Sequence, residues 1–285
     1  MHALRLCLLA SAAAVWAVPV AAVPFTFSTG NPDGRIATLS QPSTGGAIET
    51  ETGDDFILGF SSRITSATFT GLVTGGIPTI GNVVAEIYRV FPNDSDVGRT
   101  SGPPTFTTPQ VPTRVNSPSD VAFDSRSSGS GLTFTTSSAG SFTAGNSVIS
   151  GINPKPSNVT GGEGPVTGDE VTFTLTFTTP FELPADHYFF VPQVQVTGGD
   201  FLWLSAAKPI ASPGTPFAPD LQSWIRNANL DPDWLRIGTD IVGGSPPPTF
   251  NASFSVTGQT IPEPAGVLVV AAALAGLGLL RRRPS

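Results

Sequence analysis

The sequence predicts an all-β protein, an antiparallel and jelly-roll-like β-sandwich, from three observations. Apolar and polar residues alternate with a period of two, most cleanly where Val171, Phe173, Leu175 and Phe177 interleave with Thr172, Thr174, Thr176 and Thr178. That is the pattern of a strand with one face buried. Turn formers are abundant, with 31 Gly and 28 Pro, while only 12% of residues are charged, the profile of short strands joined by tight turns. Neither the spacing of β-α-β units nor an internal repeat interrupts the series. Immunoglobulin-like topology is the alternative, and the missing cysteine pair does not exclude it.

From the N-terminus, residues 25–28 (Phe-Thr-Phe-Ser) alternate and predict the first strand. Asn31-Pro32-Asp33-Gly34 predicts a turn, because these residue types suit turn dihedrals. A short strand is expected at 36–39 and an acidic loop over 49–55, leading into Phe56-Ile57-Leu58. Residues 64–73 read as a strand that Gly75-Gly76 ends. Residues 83–91 read as another, with apolar side chains on both faces, the mark of a central or covered position. Six prolines between 92 and 118 exclude interior strand there. That stretch is expected to pack over the sheet through Phe106 and Val111. Further strands are expected at 132–137, 171–178, 188–196 and 201–204. Residues 221–226 predict a short helix capped by Asp220, residues 234–237 a turn or short strand, and residues 250–256 the final strand.

Chemistry-bearing patterns are few. Apart from His2 the chain has one histidine, His187, too few for a multi-imidazole zinc site, and no Gly-x-Ser-x-Gly turn supplies a nucleophile. No catalytic residues are assigned, and the chain is expected not to be an enzyme. Glu86, on the same strand face as Tyr88, is the acid that a carboxylate-only mechanism such as glycoside hydrolysis would use; the plainer role is a solvent-facing acid or a partner of Arg89. Asn93, Asp94 and Asp96 cluster just after a strand and form a candidate Ca2+ site of hard oxygen donors, the alternative being a turn capped by its own amides. Trp224 and Trp234, in an irregular stretch, are candidate carbohydrate-stacking residues, whereas Trp203 sits in an apolar run and belongs to the core.

Both ends of the chain address it to an export route. Residues 1–22 read as a signal peptide: a weakly positive start, an apolar run over 6–18, and small residues at 20–22 before Val23. Cys7 is the sole cysteine, so a mature chain from Val23 can form neither disulfides nor thiolate metal sites. With 14 Lys+Arg against 21 Asp+Glu, the charge of −7 argues against a nucleic-acid partner. Residues 23–260 show no sharp break in composition and are expected to form one ectodomain. Residues 261–285 form a tail in three parts: Pro262-Glu263-Pro264, an apolar run over 265–280, and Arg281, Arg282 and Arg283. As a helix at about 1.5 Å per residue the run is about 24 Å long, a minimal transmembrane span against a hydrocarbon core of roughly 30 Å. The arginines would reach the headgroups and hold the C-terminus in the cytoplasm.

This tail resembles the PEP-CTERM sorting signal of Gram-negative bacteria, a Pro-Glu-Pro motif followed by a short transmembrane helix and an arginine cluster. The resemblance implies transient inner-membrane insertion, recognition by an exosortase-type membrane protease, removal of the tail, and release or attachment at the outer cell surface. It also implies association with exopolysaccharide and biofilm. It covers less than a tenth of the chain and describes routing. The expected function is a non-enzymatic exported surface or extracellular-matrix protein. A secreted carbohydrate-binding module and a carboxylate-dependent glycosidase are the alternatives.

Overall fold

A computed structural model describes residues 21–44, 46–95, 115–152 and 159–262. The signal segment to residue 20, Asp96, Phe106, Val111, Glu263, Pro264, the apolar run 265–280 and Arg281 to Arg283 lie outside the described residues. Pro24–Thr260 form one compact unit, all-β and β-sandwich-like, built on two sheets.

The nine-stranded sheet contains β1 (Pro24–Ser28), β2 (Pro32–Leu39), β4 (Ser62–Val73), β7 (Leu132–Ala144), β8 (Ser147–Val148), β9 (Val166–Leu183), β11 (Phe201–Ala206), β14 (Asn251–Ala252) and β15 (Phe254–Thr260). Its centre is β4, which pairs with β9 along its length and with β15 and then β11 in succession. β7 extends the sheet beyond β9, β1 beyond β15, and β2 beyond β11. The six-stranded sheet runs β13 (Leu235–Arg236), β12 (Trp224–Asn227), β3 (Thr50–Leu58), β10 (Asp186–Thr197), β5 (Thr79–Arg89), β6 (Asp124–Ser127). The paired strands are antiparallel except β2 with β8. One turn of π-helix, Ile237–Val242, follows β13. Among the described residues no helix is long and apolar enough to cross a membrane.

Register makes the main core. Phe27, Val256, Ala67 and Leu175 oppose one another across β1, β15, β4 and β9, and all four are buried. Phe69 opposes both Phe254 and Phe173, and stacks on Phe173 with ring centroids 4.9 Å apart. Against this face the second sheet presents Phe56, Val83, Ala85, Ile87, Tyr188 and Phe190. The threonines of β9 point away, as the alternation requires: Thr174, Thr176 and Thr178 are exposed.

Three local expectations are corrected. Pro32-Asp33-Gly34 begins β2 and does not form a free turn. Ser205 Oγ donates to Asp33 Oδ1 at 2.5 Å and accepts from the Ile36 amide at 3.0 Å, which draws the segment onto β11. The acidic stretch before Phe56 is the strand β3, not a loop. Trp224–Asn227 is a strand against Thr50–Gly53 in place of the expected helix. A six-residue amphipathic run has little intrinsic helix stability, and strand pairing satisfies much of its backbone instead.

The outer face of the second sheet is covered. Leu221, Trp224 and Trp234 pack with Tyr88, Phe189 and Val191 over it, and Ala122 joins them from residues 117–123. Those residues run beside β5 and its continuation, with Phe123 N–H donating to Ile87 O at 2.7 Å and Phe91 N–H to Ser117 O at 2.8 Å.

Candidate functional site

Where that cover ends, a polar pocket of about 240 Å³ opens, lined by Glu49, Glu51, Glu86, Tyr88, Arg226, Ala228 and Asp231. Its floor comes from three strands. Glu51 and Arg226 stand directly opposite each other on β3 and β12, so their side chains share a face. Glu86 and Tyr88 are two apart on β5 and project to the same side. Arg226 is 5% exposed and ion-pairs through Nε with Glu51 Oε2. Its Nη2 donates to Tyr88 Oη at 2.8 Å, its Nη1 to the Asp120 and Pro232 carbonyls at 3.2 and 3.3 Å. Nη1 also lies 2.8 Å from Asp231 Oδ1. The guanidinium carbon sits 4.4 Å from the Trp234 ring centroid, so both its edge and its face are occupied.

Tyr88 Oη lies 2.7 Å from Glu51 Oε1 and 3.0 Å from Glu86 Oε2. A phenol has one proton, so both carboxyl groups are served only if Glu86 carries a proton of its own. The electrostatics agree. Burial, followed by the neighbouring Glu51 charge, pushes Glu86 up to about 8. Burial also raises Glu51, but the Arg226 charge and hydrogen bonds involving Arg226, Glu86 and Tyr88 outweigh it and leave the group below its ordinary value. Burial and then Glu51 move the Tyr88 phenol far upward. Arg226 stays charged: burial opposes the charge, and Glu51 with Tyr88 more than restores it. At neutral pH the pocket therefore holds a protonated carboxyl against an ionised one.

A second buried polar cluster fixes the cover to β3. Asp54 Oδ1 accepts from Ser223 Oγ at 2.9 Å and its Oδ2 from the Ala252 amide at 2.9 Å. Asp55 Oδ2 lies 2.6 Å from His187 Nε2 and accepts the Leu221 amide at 3.1 Å. Burial raises both acids, Asp54 strongly and with help from Asp55. Lys208 Nζ donates to the Asp220 and Leu221 carbonyls, both at 2.7 Å, and closes the same segment.

The tryptophans expected from sequence to meet a saccharide are placed differently. Trp224 and Trp234 are each 1% exposed, so neither offers a face to a saccharide; they are the cover's core. Trp234 Nε1 donates to the Ser119 carbonyl at 3.1 Å. Asp94, at φ 57°, faces Arg89 Nε at 3.4 Å, and Asn93 beside it is exposed. Asp96, the third proposed calcium donor, is outside the described residues, and among the described residues no group of three acidic, histidine or cysteine side chains could hold a metal. Glu86 does not pair with Arg89, because an odd spacing along a strand sends the two to opposite faces. Arg89 lies instead over the Phe123 ring, 4.3 Å from its centroid. Glu51 and Arg226 were not anticipated. The signal available was the alternation of Glu49, Glu51, Gly53 and Asp55 with Thr50, Thr52, Asp54 and Phe56.

No family model, no curated protein and no solved structure matches this chain.

Proposed function

We propose that the protein is an exported surface or extracellular-matrix component that acts by binding and assembly, not by turnover. In this reading residues 1–22 direct export, residues 265–280 insert transiently into the inner membrane, and an exosortase-type membrane protease removes the tail. The mature β-domain then works at the outer cell surface among exopolysaccharide. The observation that carries the reading is the tripartite tail: Pro262-Glu263-Pro264, an uninterrupted apolar run, and Arg281 to Arg283. For the ectodomain, neighbours that are not consecutive in sequence, such as β4 with β9 and β3 with β10, support a jelly-roll-like sandwich.

The pocket chemistry is consistent with a non-enzymatic role. Glu51 and Glu86 both bond the one Tyr88 hydroxyl, at 2.7 and 3.0 Å, and Glu51 is ion-paired with Arg226, whereas a glycosidase needs two carboxyl groups with room between them for a sugar and a nucleophile. A closed set of Glu51, Glu86, Tyr88 and Arg226 serves to lock β12 and its cover onto β3 and β5.

The test is intact mass and cell fractionation in a bacterium carrying an exosortase, for the wild type and for a Pro262→Ala/Glu263→Ala/Pro264→Ala variant. The expected outcome is a wild-type product lacking both ends and found outside the inner membrane. The variant should retain its C-terminus and stay in the inner membrane. A wild-type chain that keeps Arg281 to Arg283 overturns the proposal.

A further inference from the structure

The outward face of the nine-stranded sheet carries an ordered array of hydroxyl groups. One row crosses five strands through residues directly opposite one another: Thr26, Thr257, Ser66, Thr176 and Thr133. Two residues along, the next row is Ser28, Ser255, Thr68, Thr174 and Thr135. Neighbouring strands lie about 4.7–4.9 Å apart and alternate residues about 6.8 Å apart, so the hydroxyls fall on a near-rectangular net. All ten positions are exposed or half-buried. Direct bonds hold part of the net in place, Thr26 Oγ1 to Thr257 Oγ1 at 3.0 Å and Thr68 Oγ1 to Ser255 Oγ at 2.6 Å. Between the two rows the chain turns only apolar side chains to the other side, among them Phe27, Val256, Ala67 and Leu175, so the outward rows cannot rotate without exposing the core.

Neither row contains a charge or an aromatic ring. Arg63 and Glu182, just past the first row, neutralise each other at 2.5 Å. We infer that this face is a docking surface for an uncharged polysaccharide, bound by hydroxyl-to-hydroxyl contacts along the rows. The polarity of the face selects that occupant. An apolar partner would strip water from ten hydroxyls and return no hydrogen bonds. An ionic polymer would lay its charges on two rows that hold no counter-charge, and an anionic one would also meet a chain of net charge −7. A neutral glycan offers donors and acceptors that replace the displaced water group for group, in contacts that are individually weak and become strong by repetition. Stacking on tryptophan plays no part here. The inference gives the proposed matrix role a partner class and a surface, and rests on that role for its setting.

The test is co-sedimentation of the full-length chain, held in detergent, with insoluble cellulose, cross-linked dextran and β-1,3-glucan, and with alginate gel as the anionic comparison. Retention on at least one neutral glycan is expected, with alginate at least tenfold weaker. Thr68→Val/Thr174→Val, in the middle of the face, should lose retention at least tenfold. Thr133→Val/Thr135→Val, on β7 at the sheet edge, should weaken it as well and guards against a folding defect in the central pair. No retention on any neutral glycan, equal retention on alginate, or unchanged retention by both folded variants overturns the inference. Sedimentation is independent of tail removal, so the export reading fails or stands separately on the mass measurement.

Discussion

Arg226 shows how far apart in sequence the parts of one buried site can be. It sits 175 positions from Glu51 and 138 from Tyr88, yet binds both. Removing one partner of a buried ion pair leaves an uncompensated charge, a loss of about 3–5 kcal/mol. Arg226→Ala is therefore expected to destabilise the domain by roughly that amount, whereas Glu51→Gln/Arg226→Met, which removes both charges, should cost markedly less. Urea unfolding of the three proteins checks the difference. Glu86 supplies a pH dependence with a definite sign. Its folded value of about 8 exceeds its ordinary 4.5, so the folded state holds a proton that the unfolded chain gives up. The contribution is fully present below about pH 4.5, declines through the interval, and is gone above about pH 8. Asp54 and Asp55, also raised, act in the same sense, while the lowered Glu51 acts oppositely at acid pH. The diagnostic is consequently a difference: Glu86→Gln should flatten the fall in unfolding free energy between pH 5 and 8 relative to the wild type. Identical slopes would show that Glu86 does not hold the proton.

At the scale of the element, β9 and β3 make opposite cases. β9 was legible because its alternation is strict and its apolar members are large, and the structure extends it to Val166–Leu183 with Phe173 and Leu175 fully buried. Phe173 touches Phe69, Phe134 and Phe201, so Phe173→Ala is expected to cost about 3–5 kcal/mol, read as a lower urea midpoint. β3 was not legible. Its Thr-Glu-Thr-Gly-Asp-Asp start is rich in residues depleted from strands, so local preference argues for a loop. Pairing decides otherwise: β12 supplies Arg226 opposite Glu51, Ser223 reaches Asp54, and β10 brings His187 to Asp55. Each partner lies more than 100 residues downstream, beyond the reach of a window read along the chain. The 221–226 segment failed for the same reason in reverse. Its helix-like pattern of Leu221, Trp224 and Ile225 is satisfied by a strand and a loop over the second sheet.

For the whole molecule, a main core joins the sheets, with a second apolar cluster in which Ile36 of the first sheet packs with Ile225 and Leu235 of the second. Phe56 and Phe190 of the second sheet meet Phe27, Phe254 and Trp203 of the first, Tyr188 stacks on Phe56, and Trp224 and Trp234 are buried on the far side of the second sheet. Tryptophan emission and far-ultraviolet circular dichroism are therefore expected to report one coincident urea transition. Separated transitions would mean that the cover or one sheet melts by itself.

The sequence by itself determined the all-β class, the inward and outward faces of the most regular strands, and the tripartite pattern of the tail. All three are written in local order: a period of two, turn residues, and a contiguous apolar run closed by arginines. Tertiary structure alone decided that the acidic run is an interior strand and that two tryptophans are cover. It alone gathered Glu51, Glu86, Tyr88 and Arg226 around one pocket and aligned the hydroxyls of five strands into rows. Those outcomes depend on which strands become neighbours and in what register. That choice is made by burying the shared core and pairing the buried charges, and neither quantity exists until distant segments meet.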